Sequence, residues 1–169
     1  MILWPFLYLS INGRCSLITK KTEYALKALV ILAQQPKDSS MLSSDIALED
    51  KLPKKFLEFL LLSLRKGGLL QSRIGKGGGY RLAVDPGQIS IARVVRILEG
   101  DFAPLECLSE HIHTTCENGN DPTCCGIHLI MSEVKQSIAA VLENRTLADL
   151  INLGDSARNK QQNIIDYSI

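Results

Sequence analysis

Apolar residues return every three to four positions along most of this chain, which lays out a largely helical protein. Ala25, Ala28, Leu29 and Leu32 form one such stripe within residues 19–34, with Thr19 or Thr22 available as N-cap. Pro36 ends that helix, and the polar run after it is a loop. Ser43 is placed to cap a short helix reaching about Asp50, with Asp45 near its positive end. Pro53 suits the first turn of the next helix, whose buried stripe is Leu57, Leu60, Leu61 and Leu64. Arg65 and Lys66 occupy its last turn, and Gly67-Gly68 stops it. A short helix, a tight turn and a second helix make a helix-turn-helix.

The period then changes. LLQSRI and YRLAV flank the glycine turn GKGGG and predict two strands of a hairpin. Asp85-Pro86-Gly87 is a turn, and Ser90 caps a helix with Ile91, Val94, Val95 and Leu98 on one face, ended by Gly100. Residues 101–124 have no apolar period, and a structureless stretch of that length is commonly functional or disordered. From about Cys125 to Glu143, Ile127, Ile130, Met131, Val134, Ile138, Val141 and Leu142 line one long amphipathic helix, suited to a partner helix or to the chain's own domain. Thr146 to Asp149 is a capping-box-like start for a short final helix, with a polar, frayed tail from Gly154.

The expected fold is therefore mainly α with a small β-hairpin: a winged helix-turn-helix domain plus a long dimerisation helix. The segments are a non-core extension (1–16), the winged DNA-binding unit (17–100), a cysteine-rich cluster-binding loop (101–125), the dimerisation helix with a short terminal helix (126–153), and a flexible tail (154–169). The opening stretch Met1 to Ile11 is apolar but too short to span a bilayer, and it lacks the basic start of an export signal. No later stretch would cross a membrane either, so a cytoplasmic protein without a membrane partner is expected.

Charge changes the picture. The net charge of +1 conceals 15 Lys and Arg against 8 Asp and Glu in residues 1–100, and 4 against 10 in residues 101–169. A polyanion would meet the first part. A helix after a tight turn fits the major groove of DNA, and Lys54, Lys55 and Glu58 stand at exposed positions of this one. Arg73, Lys76 and Arg81 surround the glycine turn, where they can meet phosphates or enter the minor groove. The turn is not a P-loop, because neither Ser nor Thr follows Lys76 and a strand comes next.

Four of the five cysteines, Cys107, Cys116, Cys124 and Cys125, fall within 19 positions. An odd count with no export signal points to a metal or redox site over a disulfide scaffold. Thiolates with a nearby imidazole suit iron–sulfur clusters, and zinc is a lesser alternative. His128 follows Cys125 by one helical turn, so the two can reach one site.

Several runs together carry a resemblance: ITKKTEYALKAL, LPKKFLEFLLLSLRKGGLLQSRIGKGGGYRLAVDP, IARVVRILEG and ENRTLADLI. Over about residues 18–151 the chain resembles the IscR/NsrR (Rrf-two) family of winged-helix transcription regulators. The resemblance implies homodimers on palindromic operators and, in many members, a cluster held by three cysteines. It puts Lys54, Lys55 and Glu58 on the recognition helix, and Arg73, Lys76 and Gly77 in the wing. Counting back from Thr146-Leu147, it registers the third cysteine on Cys125 and the histidine ligand on His128. The implied set is Cys107, Cys116, Cys125 and His128, with 2Fe–2S taken ahead of 4Fe–4S. Glu23 aligns with an acidic ligand that reaches across the dimer in one branch, but imidazole binds transition metals more strongly. The extra Cys124 is an alternative to Cys125.

The expected function is a repressor-type regulator that senses iron–sulfur, redox or nitric oxide status. A metal-free, zinc-bound or thiol-switch regulator is the alternative, followed by an electron carrier or enzyme. No nucleophile and base are paired in the sequence, so an enzyme is not expected.

Overall fold

A computed structural model describes residues 18–36, 39–75, 77–101, 103–109 and 125–166. In chain order its elements are α1 (Lys20–Ala33), α2 (Ser43–Glu49), α3 (Lys54–Lys66), β1 (Leu70–Arg73), β2 (Gly79–Leu82), α4 (Ile91–Glu99), α5 (Gly126–Glu143) and α6 (Leu147–Asp166). Short 3-10 turns lie at Pro86–Gln88 and Glu106–Leu108. This is the expected mainly α fold with one hairpin.

The caps follow the local chemistry. Thr19 is the N-cap of α1 and its hydroxyl accepts from the Lys21 amide. Ser90 does the same for Arg93 at the start of α4. Thr146 and Asp149 form a reciprocal capping box: the Asp149 carboxylate accepts from the Thr146 amide, and the Thr146 hydroxyl accepts from the Asp149 amide. Ser43 behaves differently from the expectation. It is the first residue of α2, the N-cap is Leu42 without a side-chain bond, and the Ser43 hydroxyl instead donates to Glu58 on α3.

One main core joins α1, α2, α3, the hairpin and the start of α6. The stripe Leu57, Leu60, Leu61 and Leu64 has no exposed surface. β1 and β2 pair antiparallel with Leu70 opposite Leu82 and Arg73 opposite Gly79. Met41, just before α2, bridges Tyr80 through two backbone hydrogen bonds of 2.8 and 2.9 Å, so the loop before the helix-turn-helix is stitched to the wing. A second small cluster, Ile91, Ala92 and Val95, receives Ala139 and Leu142 from α5.

α5 buries none of its residues fully, and Ile127, Leu129, Ile130, Val134 and Val141 stand exposed. Its chain then turns back onto the winged unit. The Ile91 amide bonds Arg145, the Leu147 amide bonds Ile89, and Leu147 is wholly buried in the main core. Here the final helix departs from expectation, since α6 continues through Gly154 to Asp166 in place of a short helix and frayed tail. One glycine costs a helix only about 1 kcal/mol, and the Ala, Arg, Lys and Gln that follow favour helix. An Asp155–Arg158 pair at 2.5 Å spans the next turn. Among the described residues no helix is long and apolar enough to cross a membrane.

Glu99, at the end of α4, is the polar tie of the core. It accepts hydrogen bonds from the Thr19 and Thr22 hydroxyls at 2.5 and 2.7 Å and pairs with Lys21 at 2.9 Å. Burial pushes its carboxyl up, but these three hydrogen bonds and the Lys21 charge outweigh that push and hold it below its ordinary 4.5. A depressed folded-state value contributes stability above the unfolded value, and the contribution is lost as pH falls through the folded one. Glu99→Gln is expected to cost about 1–3 kcal/mol near neutral pH and to flatten the loss of stability below pH 4.5, as read from urea titrations across that range.

Candidate DNA-binding face and cysteine site

With its leucine stripe buried, α3 must turn its other face outward. Lys54, Lys55 and Glu58 are all exposed there. Glu58 keeps the Ser43 hydroxyl at 3.1 Å, which links the first helix of the helix-turn-helix to the second. Phe59 stands beside them at 58% exposure, a position the sequence reading does not single out. The signal was present, because burying positions 57, 60, 61 and 64 leaves position 59 on the opposite face.

The hairpin carries the second basic group. Arg73 is exposed at the end of β1, and Gly77 is exposed in the turn with φ of 75°. Arg81 on β2 is half-buried and donates to the Gln71 side chain at 3.0 Å, which holds its guanidinium along the sheet. Lys76 lies outside the described residues. Arg65, near the end of α3, donates to Ser72 on β1, so helix and wing are fastened together. Arg93 on α4 donates to the Gly67 carbonyl just beyond α3, which fixes the helix from behind.

The cysteine site is described in part. Cys107, in the 3-10 turn Glu106–Leu108, and Cys125, the N-cap of α5, are free and half-buried. Cys116, Cys124, His111 and His113 lie outside the described residues. The turn bearing Cys107 packs against α5. Lys135 of α5 secures it, donating to the Leu108 carbonyl at 2.8 Å and pairing with Asp101 at 2.9 Å. His128, in the first turn of α5, buries its Nδ1 with no hydrogen-bond partner. An unmet nitrogen in that position is costly unless something binds it. Among the described residues no three His, Cys, Asp or Glu side chains gather as a metal site.

The donors suit an iron–sulfur cluster: two free thiols and one unpartnered imidazole nitrogen on packed elements, beside the open amide end of a helix, where negative charge is favoured. Glu23 is otherwise engaged. Its carboxylate pairs with Lys20 at 2.5 Å and Lys27 at 3.8 Å, and the hydrogen bond from Lys20 is the main cause of its lowered pKa.

Comparison with known proteins places the family and the fold. A family profile, Rrf2, described as iron-dependent transcriptional regulator, matches residues 18–153. An Rrf2-like HTH-type transcriptional regulator of Rhodobacter capsulatus is 38% identical over 144 residues, covering 83% of this chain and 96% of that one. Among solved structures, T. potens IscR superposes with a TM-score of 0.65 at 29% identity, covering 83% of this chain and 89% of the other. CymR, the global cysteine regulator of B. subtilis, also gives 0.65, at 27% identity and 80% and 96% coverage.

The wing's shape depends on Gly79. Its φ is 139°, and a Cβ there would meet the Met41 carbonyl oxygen at 2.3 Å. At Gly77 a Cβ meets nothing within 4 Å, so only its left-handed backbone resists substitution. Gly79→Ala is expected to destabilise by several kcal/mol and Gly77→Ala by about 1–2 kcal/mol, compared by chemical denaturation.

Proposed function

Since the chain belongs to the Rrf2 family of iron-dependent transcriptional regulators, we propose that it binds a palindromic operator as a homodimer and reports iron–sulfur, redox or nitric oxide status through a cluster held by Cys107, Cys116, Cys125 and His128. That it is a DNA-binding transcription regulator, and not an enzyme, follows from the family and its relatives. The observation that carries the sensing reading is the buried, unpartnered Nδ1 of His128, one helical turn beyond Cys125 on the helix against which the Cys107 turn packs.

When bound, a cluster supplies a centre that responds to oxidants, nitric oxide and iron supply; 2Fe–2S is the form proposed. The chain's own residues do the rest. Lys135 holds the Leu108 carbonyl and the Asp101 carboxylate, and Asp101 follows directly from the end of α4. α4 in turn grips the end of α3 through Arg93 and Gly67. A change in the order of the cysteine segment is thereby passed to the recognition helix through groups already in contact.

Homodimerisation is assigned to α5. Ile127, Ile130, Val134 and Val141 are exposed at spacings of three, four and seven, the seam of a helix that packs on a copy of itself. Two α3 helices in such a dimer would address half-sites about 34–36 Å apart. Lys54, Lys55, Arg73, Lys76 and Arg81 are proposed to contact phosphates and groove edges, with Glu58 and the Gly77 backbone beside them. A second reading, a zinc site or metal-free thiol switch built from the same cysteines, draws support from the likeness to a global cysteine regulator.

Anaerobically purified protein is expected to show visible iron–sulfur absorption that Cys107→Ala abolishes. A chromophore retained in that variant would overturn the ligand assignment, and zinc or no metal in the parent protein would move the conclusion to the second reading. Replacing Arg73 and Lys76 by Ala should weaken binding to all duplexes and reduce the salt dependence by about one unit of log–log slope per residue. An unchanged slope would mean that the wing does not touch phosphate.

A further inference from the structure

The outward face of α3 carries an apolar ring where charge would be expected. Lys55, Phe59 and Lys66 follow one another at four- and seven-residue spacings and are all exposed. Phe59 thus sits between two cations, with Lys54 and Glu58 alongside. Leaving such a ring in water forgoes the gain of burying it. Its neighbour Phe56 meets the Tyr24 ring edge-to-face at 6.2 Å, the one aromatic pair among the described residues. Among the described residues Phe59 has no such partner.

The chemistry of the facing surface identifies one. A helix whose outer face is basic is drawn to phosphates and fits the major groove. The floor of that groove is polar except at one group, the 5-methyl of thymine, which apolar side chains contact. Phe59 lies in the first half of α3, the part of a recognition helix that reaches base edges. In that groove, the methyl is the apolar group such a ring can meet.

We propose that Phe59 is a specificity-determining residue that reads thymine through its 5-methyl group. The proposal rests on α3 being the recognition helix, and the experiment separates the two. Duplexes are selected from a random pool by the full-length protein. Each thymine of the selected site is then replaced in turn by deoxyuridine, which removes the methyl and leaves every hydrogen-bonding group in place. The expected result is one thymine per half-site whose replacement weakens binding about fourfold, the equivalent of about 0.8 kcal/mol for one buried methyl. In Phe59→Ala that discrimination falls to about one, with the thermal melt unchanged because the ring is exposed.

A selected site without a fixed thymine would overturn the proposal, as would a deoxyuridine effect that persists in Phe59→Ala. Unchanged binding of every duplex by Phe59→Ala would also overturn it, and would assign the ring to a protein partner. Lys55→Ala tests the underlying reading separately. If it leaves affinity and salt dependence untouched, α3 is not at the DNA at all, whereas weakened binding with a persisting deoxyuridine effect removes the Phe59 assignment alone.

Discussion

Four leucines on α3 set the orientation on which everything else depends. Leu57, Leu60, Leu61 and Leu64 are removed from water together, and burial of such a side chain stabilises by about 1.5–3 kcal/mol. Because they share one stripe of a 3.6-residue helix, their burial fixes the rotation of α3 about its own axis. The outward residues then have no choice of direction, and Lys54, Lys55, Glu58 and Phe59 are presented as one surface. The hairpin is set by the same core, since Leu69 and Leu70 are buried and Met41 is stitched to Tyr80. Helix and wing are therefore parts of one rigid face.

Around that apolar centre, polar ties join elements distant in sequence. Glu99 fastens the start of α1 to the end of α4, and Arg96 of α4 pairs with Glu143 at the end of α5. Arg96 and Glu143 are about half exposed, so water screens that bond and its contribution to stability is small. Lys135 and Asp101 retain only 19% and 11% of side-chain exposure. The two ion pairs thus serve different ends: one guides the docking of a helix, and the other fixes a joint.

The sequence was most readable where one period dominated. The stripes of α1, α3 and α4, the GKGGG turn and the Thr146 capping box all express local chemistry, and each stands where its pattern placed it. The departures have a common cause. Ser43 had every local reason to cap α2, but a glutamate fifteen residues away took its hydroxyl. α6 passes Gly154 because the helix-favouring residues beyond it outweigh one weak position. Neither the Glu99 hub nor the Lys135–Asp101 joint leaves a local trace, because their partners lie 77 to 80 and 34 positions apart. Of the candidate site, the outward positions of α3 could be read from its leucines. The unmet nitrogen of His128 could not, since it depends on what packs around α5.

For the proposed sensing role, the joint at Lys135 matters more than its contribution to stability. A loop that carries ligands can absorb a change in their state by moving alone, and the change then reaches nothing else. Here the segment after Cys107 is held through the Leu108 carbonyl by an ammonium that also pairs with Asp101. Pulling these part-buried charges apart is unfavourable, so the joint ties α5 to the end of α4. In the proposed role, a reordering of the cysteines would then carry α5 and the end of α4 together. Arg93 of α4 bonds the Gly67 carbonyl at the end of α3, which gives the proposed signal a physical route to the recognition helix.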